Sequence, residues 1–144
     1  MTKEAAPIVY RLCKEYGLKT AVENHPEKHP DEIKAIIGDY GDVLGAAVDT
    51  GWFATQGYSA PDALRQLKDS LLNIHLKDVK ASGSHFPVPF GTGIANIEEC
   101  VLTLKEIGYD TILSIEQESA AFDPTNDCKT ALQWISNCYA IDRH

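Results

Sequence analysis

Four short apolar runs in this chain each end in a side chain that can bind a metal ion, and helix-like stretches separate them. Ala21-Val22 ends in Glu23, Ala46-Ala47-Val48 in Asp49, Leu72-Asn73-Ile74 in His75, and Ile112-Leu113-Ser114-Ile115 in Glu116. Runs this short and this apolar predict strands buried on both faces, over Lys19 to Glu23, Leu44 to Val48, Leu71 to Leu76 and Thr111 to Ile115. Apolar residues recur at helical spacing around them: Ala5, Ile8, Val9, Leu12 and Tyr16 first, then Ile33, Ile36 and Ile37. Ala63, Leu64 and Leu67 form the next face, followed by Ile97, Cys100, Val101, Leu104 and Ile107, and by Cys128, Ala131, Leu132 and Ile135. Gly17, Gly38 and Gly108 stand where helices stop. Ser59 and Asp62 have the spacing of a capping box, Asn96 and Glu99 open another helix, and Asp123-Pro124 opens the last.

The order is one leading helix and then four strand-helix pairs. Such alternation predicts an α/β fold with a parallel sheet and right-handed crossovers. Two architectures fit, an open doubly wound sheet or part of a (βα)8 barrel. No Gly-x-Gly-x-x-Gly follows the first strand, so a dinucleotide fold has little support. The connections read as loops over Asn24 to Pro30, Phe53 to Tyr58, and Lys80 to Ile94. The last carries Pro87, Pro89, Gly91 and Gly93, and its length marks it as a functional segment.

In a barrel, side chains at the C-terminal ends of strands converge on one face. Glu23, Asp49, His75 and Glu116 then point at one spot. Three carboxylates and an imidazole, with no thiolate, suit a hard divalent ion with open positions for substrate oxygens. Mn²⁺ is the expected ion, with Mg²⁺, Co²⁺ or Zn²⁺ as alternatives. Taken singly, each residue has a plainer role: Asp49 as a helix cap, His75 as a hydrogen-bonded core histidine, Glu116 as one solvated acid among Gln117 and Glu118. The joint pattern favours the metal.

The formal net charge of -8 and the lack of a basic patch argue against a nucleic-acid partner. The apolar runs are too short to span a bilayer, and Met1-Thr2-Lys3-Glu4 leads straight into a helical pattern, so a cytoplasmic location is expected. Cys13, Cys100, Cys128 and Cys138 lack Cys-x-x-Cys spacing and read as reduced core thiols.

Five segments carry a family resemblance: Val22-Glu23-Asn24-His25, Val48-Asp49-Thr50-Gly51-Trp52, Ile74-His75-Leu76-Lys77-Asp78, Phe90-Gly91-Thr92-Gly93 and Ile115-Glu116-Gln117-Glu118. In this order they resemble the C-terminal half of the xylose-isomerase-like TIM barrels, which include sugar and sugar phosphate isomerases and epimerases, inosose dehydratases and apurinic endonucleases. The resemblance implies that Glu23, Asp49, His75 and Glu116 bind a divalent metal. It also implies that Glu23 and Glu116 act as acid and base on opposite faces of a small sugar, through a metal-stabilised enediolate. A dehydratase of the inosose type shares the first step and is the alternative enzyme; an inert metal-binding fragment is the other. His25, Trp52 and Lys77 are candidate substrate contacts, with Lys77 placed to meet the enediolate oxygen or to orient Asp78. Many family members have histidine where this chain has Trp52; that histidine binds substrate or a second metal, so a multi-metal endonuclease site is disfavoured here.

A complete barrel of this kind needs about 250 residues, and this chain has 144. Four strands of a barrel leave two open edges and an uncovered inner face. The expectation is a single half-barrel domain over 1–144 that closes as a homodimer, or else a piece of a longer chain.

Overall fold

The computed structural model describes residues 1–118 and 123–140. Strands β1 (Thr20–Glu23), β2 (Leu44–Asp49), β3 (Leu71–Leu76) and β4 (Ile112–Ile115) form one sheet in the order β1-β2-β3-β4, and every pair is parallel. Helices α1 (Ala6–Tyr16), α2 (Pro30–Ile37), α3 (Thr50–Thr55), α4 (Ala60–Leu67), α5 (Ile97–Glu106) and α6 (Thr125–Ala140) connect and flank them. Strands that are neighbours in sequence are neighbours in the sheet, the arrangement a barrel requires.

The core lies between the strands and the helices that return along them. Val22, Leu44, Val48, Ile74 and Leu76 from the sheet pack with Ile33, Leu64, Leu67, Val101 and Leu104, each at most 1% exposed. A side chain buried so fully contributes about 1.5–3 kcal/mol. Every residue of β2 is buried, as a central strand covered on both faces should be. The edge strand β4 is not: its Ile112 is 65% exposed.

One irregularity sets the register of the site. Between Ala46 and Ala47 the pairing slips, so that β3 advances from Leu71 to Asn73 across one step of β2. Gly45 makes room for the extra residue, since a Cβ there would lie 2.4 Å from Leu72 Cγ and 2.6 Å from the Ser70 carbonyl oxygen. Beyond the slip, Asp49 pairs with His75.

The strand and helix positions follow the sequence pattern, with four differences. The α1 stripe points outward: Ile8, Leu12 and Tyr16 are 55%, 47% and 69% exposed, while Ala6 is buried and Val9, Tyr10 and Cys13 pack on the core. This helix lies at an open end of the sheet and is pinned instead by Lys14 on Asp42 at 2.8 Å and by Tyr10 against Tyr40. Leu132 is likewise exposed, because α6 turns Ala131 and Ile135 inward instead, on a flank that includes β4 and α5. The span Phe53 to Tyr58 is not wholly loop, since α3 runs to Thr55 and buries Phe53 completely. Asn96 precedes α5 in the left-handed region (φ 54°) without a side-chain cap. Ser59 does cap α4, through the Asp62 amide. The reciprocal capping box belongs to α2, where His29 accepts from the Asp31 amide and Glu32 accepts from the His29 amide.

Among the described residues no helix is long and apolar enough to cross a membrane. The four cysteines are unpaired, with Cys100 fully buried and the other three half-buried.

Candidate metal centre

Four strand ends bring Glu23, Asp49, His75 and Glu116 together, with one donor atom from each lying within 4.8 Å of the others. The parallel register does this, because each of these residues stands at the C-terminal end of its strand: Glu23 and Asp49 close β1 and β2, His75 is the penultimate residue of β3, and Glu116 follows β4 directly. His75 Nδ1 lies 2.7 Å from Glu23 Oε1 and 3.0 Å from Glu116 Oε2. Its Nε2 lies 3.0 Å from the Asn73 amide nitrogen, two positions back on the same face of β3. The imidazole thus turns Nδ1 toward the two glutamates and Nε2 toward the Asn73 side chain, which fixes the plane of the ring.

Asp49 is the most deeply set of the four. It is fully buried, and Asn24, also fully buried, grips its backbone twice: the Asp49 amide donates to Asn24 Oδ1 at 2.7 Å, and Asn24 Nδ2 donates to the Asp49 carbonyl at 2.9 Å. The carboxylate divides its work. Oδ1 accepts from the Trp52 amide at 2.9 Å and so caps α3. Oδ2 is buried with no hydrogen-bond donor among the described residues, 3.8 Å from Lys77 Nζ. Burial pushes the Asp49 carboxyl up to about 7, against the pull of the Trp52 amide and of Lys77. A buried carboxylate oxygen without a donor is costly. The donor set around it can hold a divalent cation, which would supply the missing partner.

Lys77 is neither solvated nor turned toward Asp78. Its side chain is 6% exposed, and its ammonium donates to Glu116 Oε1 at 2.7 Å and to Glu118 Oε2. Burial disfavours this charge, but the bonds to Glu116 and Glu118 outweigh it and hold the pKa above the ordinary lysine value. The residue is fixed along its whole length. Thr50 Oγ1 accepts from the Lys77 amide at 2.9 Å and donates to its carbonyl at 2.8 Å. The stem passes over Gly51, where a Cβ would come within 2.9 Å of Lys77 Cγ. Asp78 faces away and is 1% exposed, accepting from the amides of Val79, Gly91, Gly93 and Ala95.

At the rim, Trp52 stands between two imidazoles. His25 meets it edge-on with ring centroids 4.0 Å apart, and His85 lies tilted against it at 4.4 Å. His25 and Trp52 are thus in one cluster beside these four strand ends. The sequence pattern did not single out Asn73, His85, Glu118 or the role of Asn24. Asn73 has the one usable signal, its two-residue spacing from His75.

The chain matches the family described as xylose isomerase-like TIM barrel over residues 3–138. It is 28% identical over 121 residues to an uncharacterised protein of Methanocaldococcus jannaschii, covering 77% of this chain and 41% of that protein. It is 39% identical over 66 residues to the L-ribulose-5-phosphate 3-epimerase UlaE of Escherichia coli, covering 45% and 23%. Among solved structures, a D-tagatose 3-epimerase-like protein superposes with a TM-score of 0.80 at 22% identity, over 96% of this chain and 53% of that one. An IolI protein with a bound zinc atom gives 0.71 at 21% identity, over 92% and 56%. The chain therefore spans about half the length of these structures and less than half of the curated relatives. By its sequence match, its parallel sheet and the order of its strands, the chain belongs to the xylose isomerase-like TIM barrel family.

Proposed function

We propose that this chain carries a divalent-cation-dependent isomerase or epimerase site for a small sugar or related polyol ketone. The observation that carries the reading is the placement of Glu23 and Glu116. They come from the two outermost strands and both reach the same imidazole nitrogen, at 2.7 and 3.0 Å. Two carboxylates on either side of one ligand position suit proton removal from one face of a carbon and return to the other. Glu23, Asp49, His75 and Glu116 would hold the cation, Mn²⁺ being the ion best matched to an oxygen-rich set with one nitrogen. Bound there, it would polarise a substrate carbonyl and acidify the adjacent C–H.

The remaining roles belong to the protein's own groups. One of Glu23 and Glu116 takes the proton from the carbon beside the carbonyl, and the other delivers one. Lys77 fixes Glu116 by its Oε1, which leaves Oε2 directed at the ligand group. Asn24 and the α3 amide lock Asp49 in place. His25 and Trp52 are proposed to contact the substrate.

Glu116→Gln and Glu23→Gln are each expected to lower deuterium uptake from D₂O into a ketose by about 10²–10⁴-fold. NMR of the recovered sugar measures it; turnover unchanged in both variants would defeat the assignment.

We further propose that two copies pair as a homodimer. The sheet is open, with β1 and β4 at its ends, and exposed apolar residues lie toward each: Ile8, Leu12 and Tyr16 on α1, Ile112 on β4 and Leu132 on α6. Light scattering should give twice the chain mass at micromolar concentration; a monodisperse monomer would rule the pairing out.

A further inference from the structure

The substrate class follows from how the site's own charges and amides are already engaged. The glycine-rich turn after β3 has amides of the kind that seat a phosphate in other proteins. Here Gly91 and Gly93 donate to Asp78 Oδ2 at 3.0 and 2.9 Å, and Val79 and Ala95 donate to Oδ1 at 3.0 and 3.1 Å. The anion in this nest is the chain's own carboxylate, 1% exposed and covalently held in place. The ammonium that reaches the ligand carboxylates, Lys77, is engaged in the same way by Glu116 and Glu118, with Asp49 Oδ2 at 3.8 Å.

The charge at the mouth is negative. Glu23, Asp49, Glu116 and Glu118 contribute four carboxylates when ionised. Lys77 and a divalent cation together offset three. Glu118 is the outermost of these groups, its side chain 67% exposed. A phosphate ester would bring a further charge of about -1.5 to -2 into this field. The same charges border an aromatic cluster: Trp52, with His25 and His85 against it, and a narrow cleft is lined by Trp52, Lys77, His85 and Glu118 together. An aromatic lining of this kind, with imidazole nitrogens within reach of hydroxyls, suits an uncharged sugar.

We propose that the site takes a neutral ketose or polyol ketone and discriminates against its phosphate ester, with Glu118 enforcing the discrimination at the mouth. This rests on the isomerase or epimerase reading above. It departs from the substrate in the name of the Escherichia coli relative, which is a sugar phosphate.

The test uses the Mn²⁺-loaded protein and two pairs of probes, D-fructose with D-fructose 6-phosphate and L-ribulose with L-ribulose 5-phosphate. Two readouts are taken: deuterium uptake at the carbon beside the carbonyl, and the change in Mn²⁺-driven water proton relaxation as the probe binds. The free sugar of at least one pair should be preferred over its ester by about tenfold or more. Glu118→Gln should narrow that ratio about five- to tenfold, mainly through tighter binding of the ester, since one nearby charge has been removed. A packing role for Glu118 would weaken both members alike. Preference for the esters, a ratio unmoved in Glu118→Gln, or no binding by any probe would overturn the proposal. Binding without deuterium uptake would defeat the isomerase reading, while the relaxation titration still ranks sugar against ester.

Discussion

Asp49→Asn is expected to abolish tight divalent-cation binding while leaving the cation-free fold at least as stable as the parent. The substitution keeps the α3 cap, because the asparagine carbonyl can accept from the Trp52 amide as Oδ1 does now at 2.9 Å. It replaces Oδ2, the buried oxygen without a donor, by an NH₂ group that cannot ligate a cation. The gain in cation-free stability comes from the carboxyl's environment. Burial raises the Asp49 value from 3.8 to about 7 in the folded chain. A carboxyl raised in this way costs nothing below its unfolded value, where both states are protonated. The cost grows as pH rises from about 4 to about 7 and is constant above, reaching about 4 kcal/mol. The parent's cation-free melting temperature should therefore lose this contribution across that window, and the variant's should not. Adding Mn²⁺ at 100 times its dissociation constant should return about 2.7 kcal/mol to the parent and almost nothing to the variant. Thermal melts at several pH values, with Mn²⁺ and with EDTA, measure both effects. A variant that gains as much from Mn²⁺ as the parent would remove Asp49 from the ligand set.

The same residue shows where sequence reading succeeded and where it stopped. The four strand ends were legible because a parallel strand covered on both faces leaves an unbroken apolar run, and a carboxylate or imidazole at its end then stands out. Helix α3 was not legible. It has only six residues and opens with Thr50-Gly51, which have poor helix propensity. Its cap is Asp49, and a side chain read as a ligand gives no separate signal that it also starts a helix. Lys77 was harder still. What buries it is a trio of carboxylates from β2 and from the segment after β4, together with the slot over Gly51, none of them near it in sequence. His85 lies in a long loop without periodicity, and only the folded chain sets it against Trp52. The outward stripe of α1 has a different cause. Helical spacing marks an apolar face, but two overlapping faces were available, and the side contacted by Tyr40 and the core decided between them.

Gly93→Ala should cost about 3–5 kcal/mol, lowering the melting temperature by roughly 10–20 °C. The reason is contact. A Cβ at Gly93 would sit 2.3 Å from both Asp78 Oδ1 and the Val79 carbonyl oxygen, and 2.7 Å from Asp78 Cγ. Neither obstacle can move away cheaply. The carbonyl is backbone, and it accepts from the Ile94 amide at 2.9 Å. The carboxylate is held by four amides and has no second place to go while it stays buried. Relief requires the chain at Gly93 to pull back, and that strips amides from a buried charge, which is among the most expensive losses a fold can suffer. Gly91→Ala is the control. Gly91 has φ +78° and donates to the same Asp78 oxygen, but a Cβ there meets nothing within 4 Å. Its substitution carries only the left-handed penalty, about 1–2 kcal/mol. A strongly unequal pair of melts would mean that close packing on Asp78 governs this loop. Equal melts would reduce Gly93 to a matter of backbone conformation and leave the Asp78 nest unsupported as the element that shapes the segment from Val79 to Ala95.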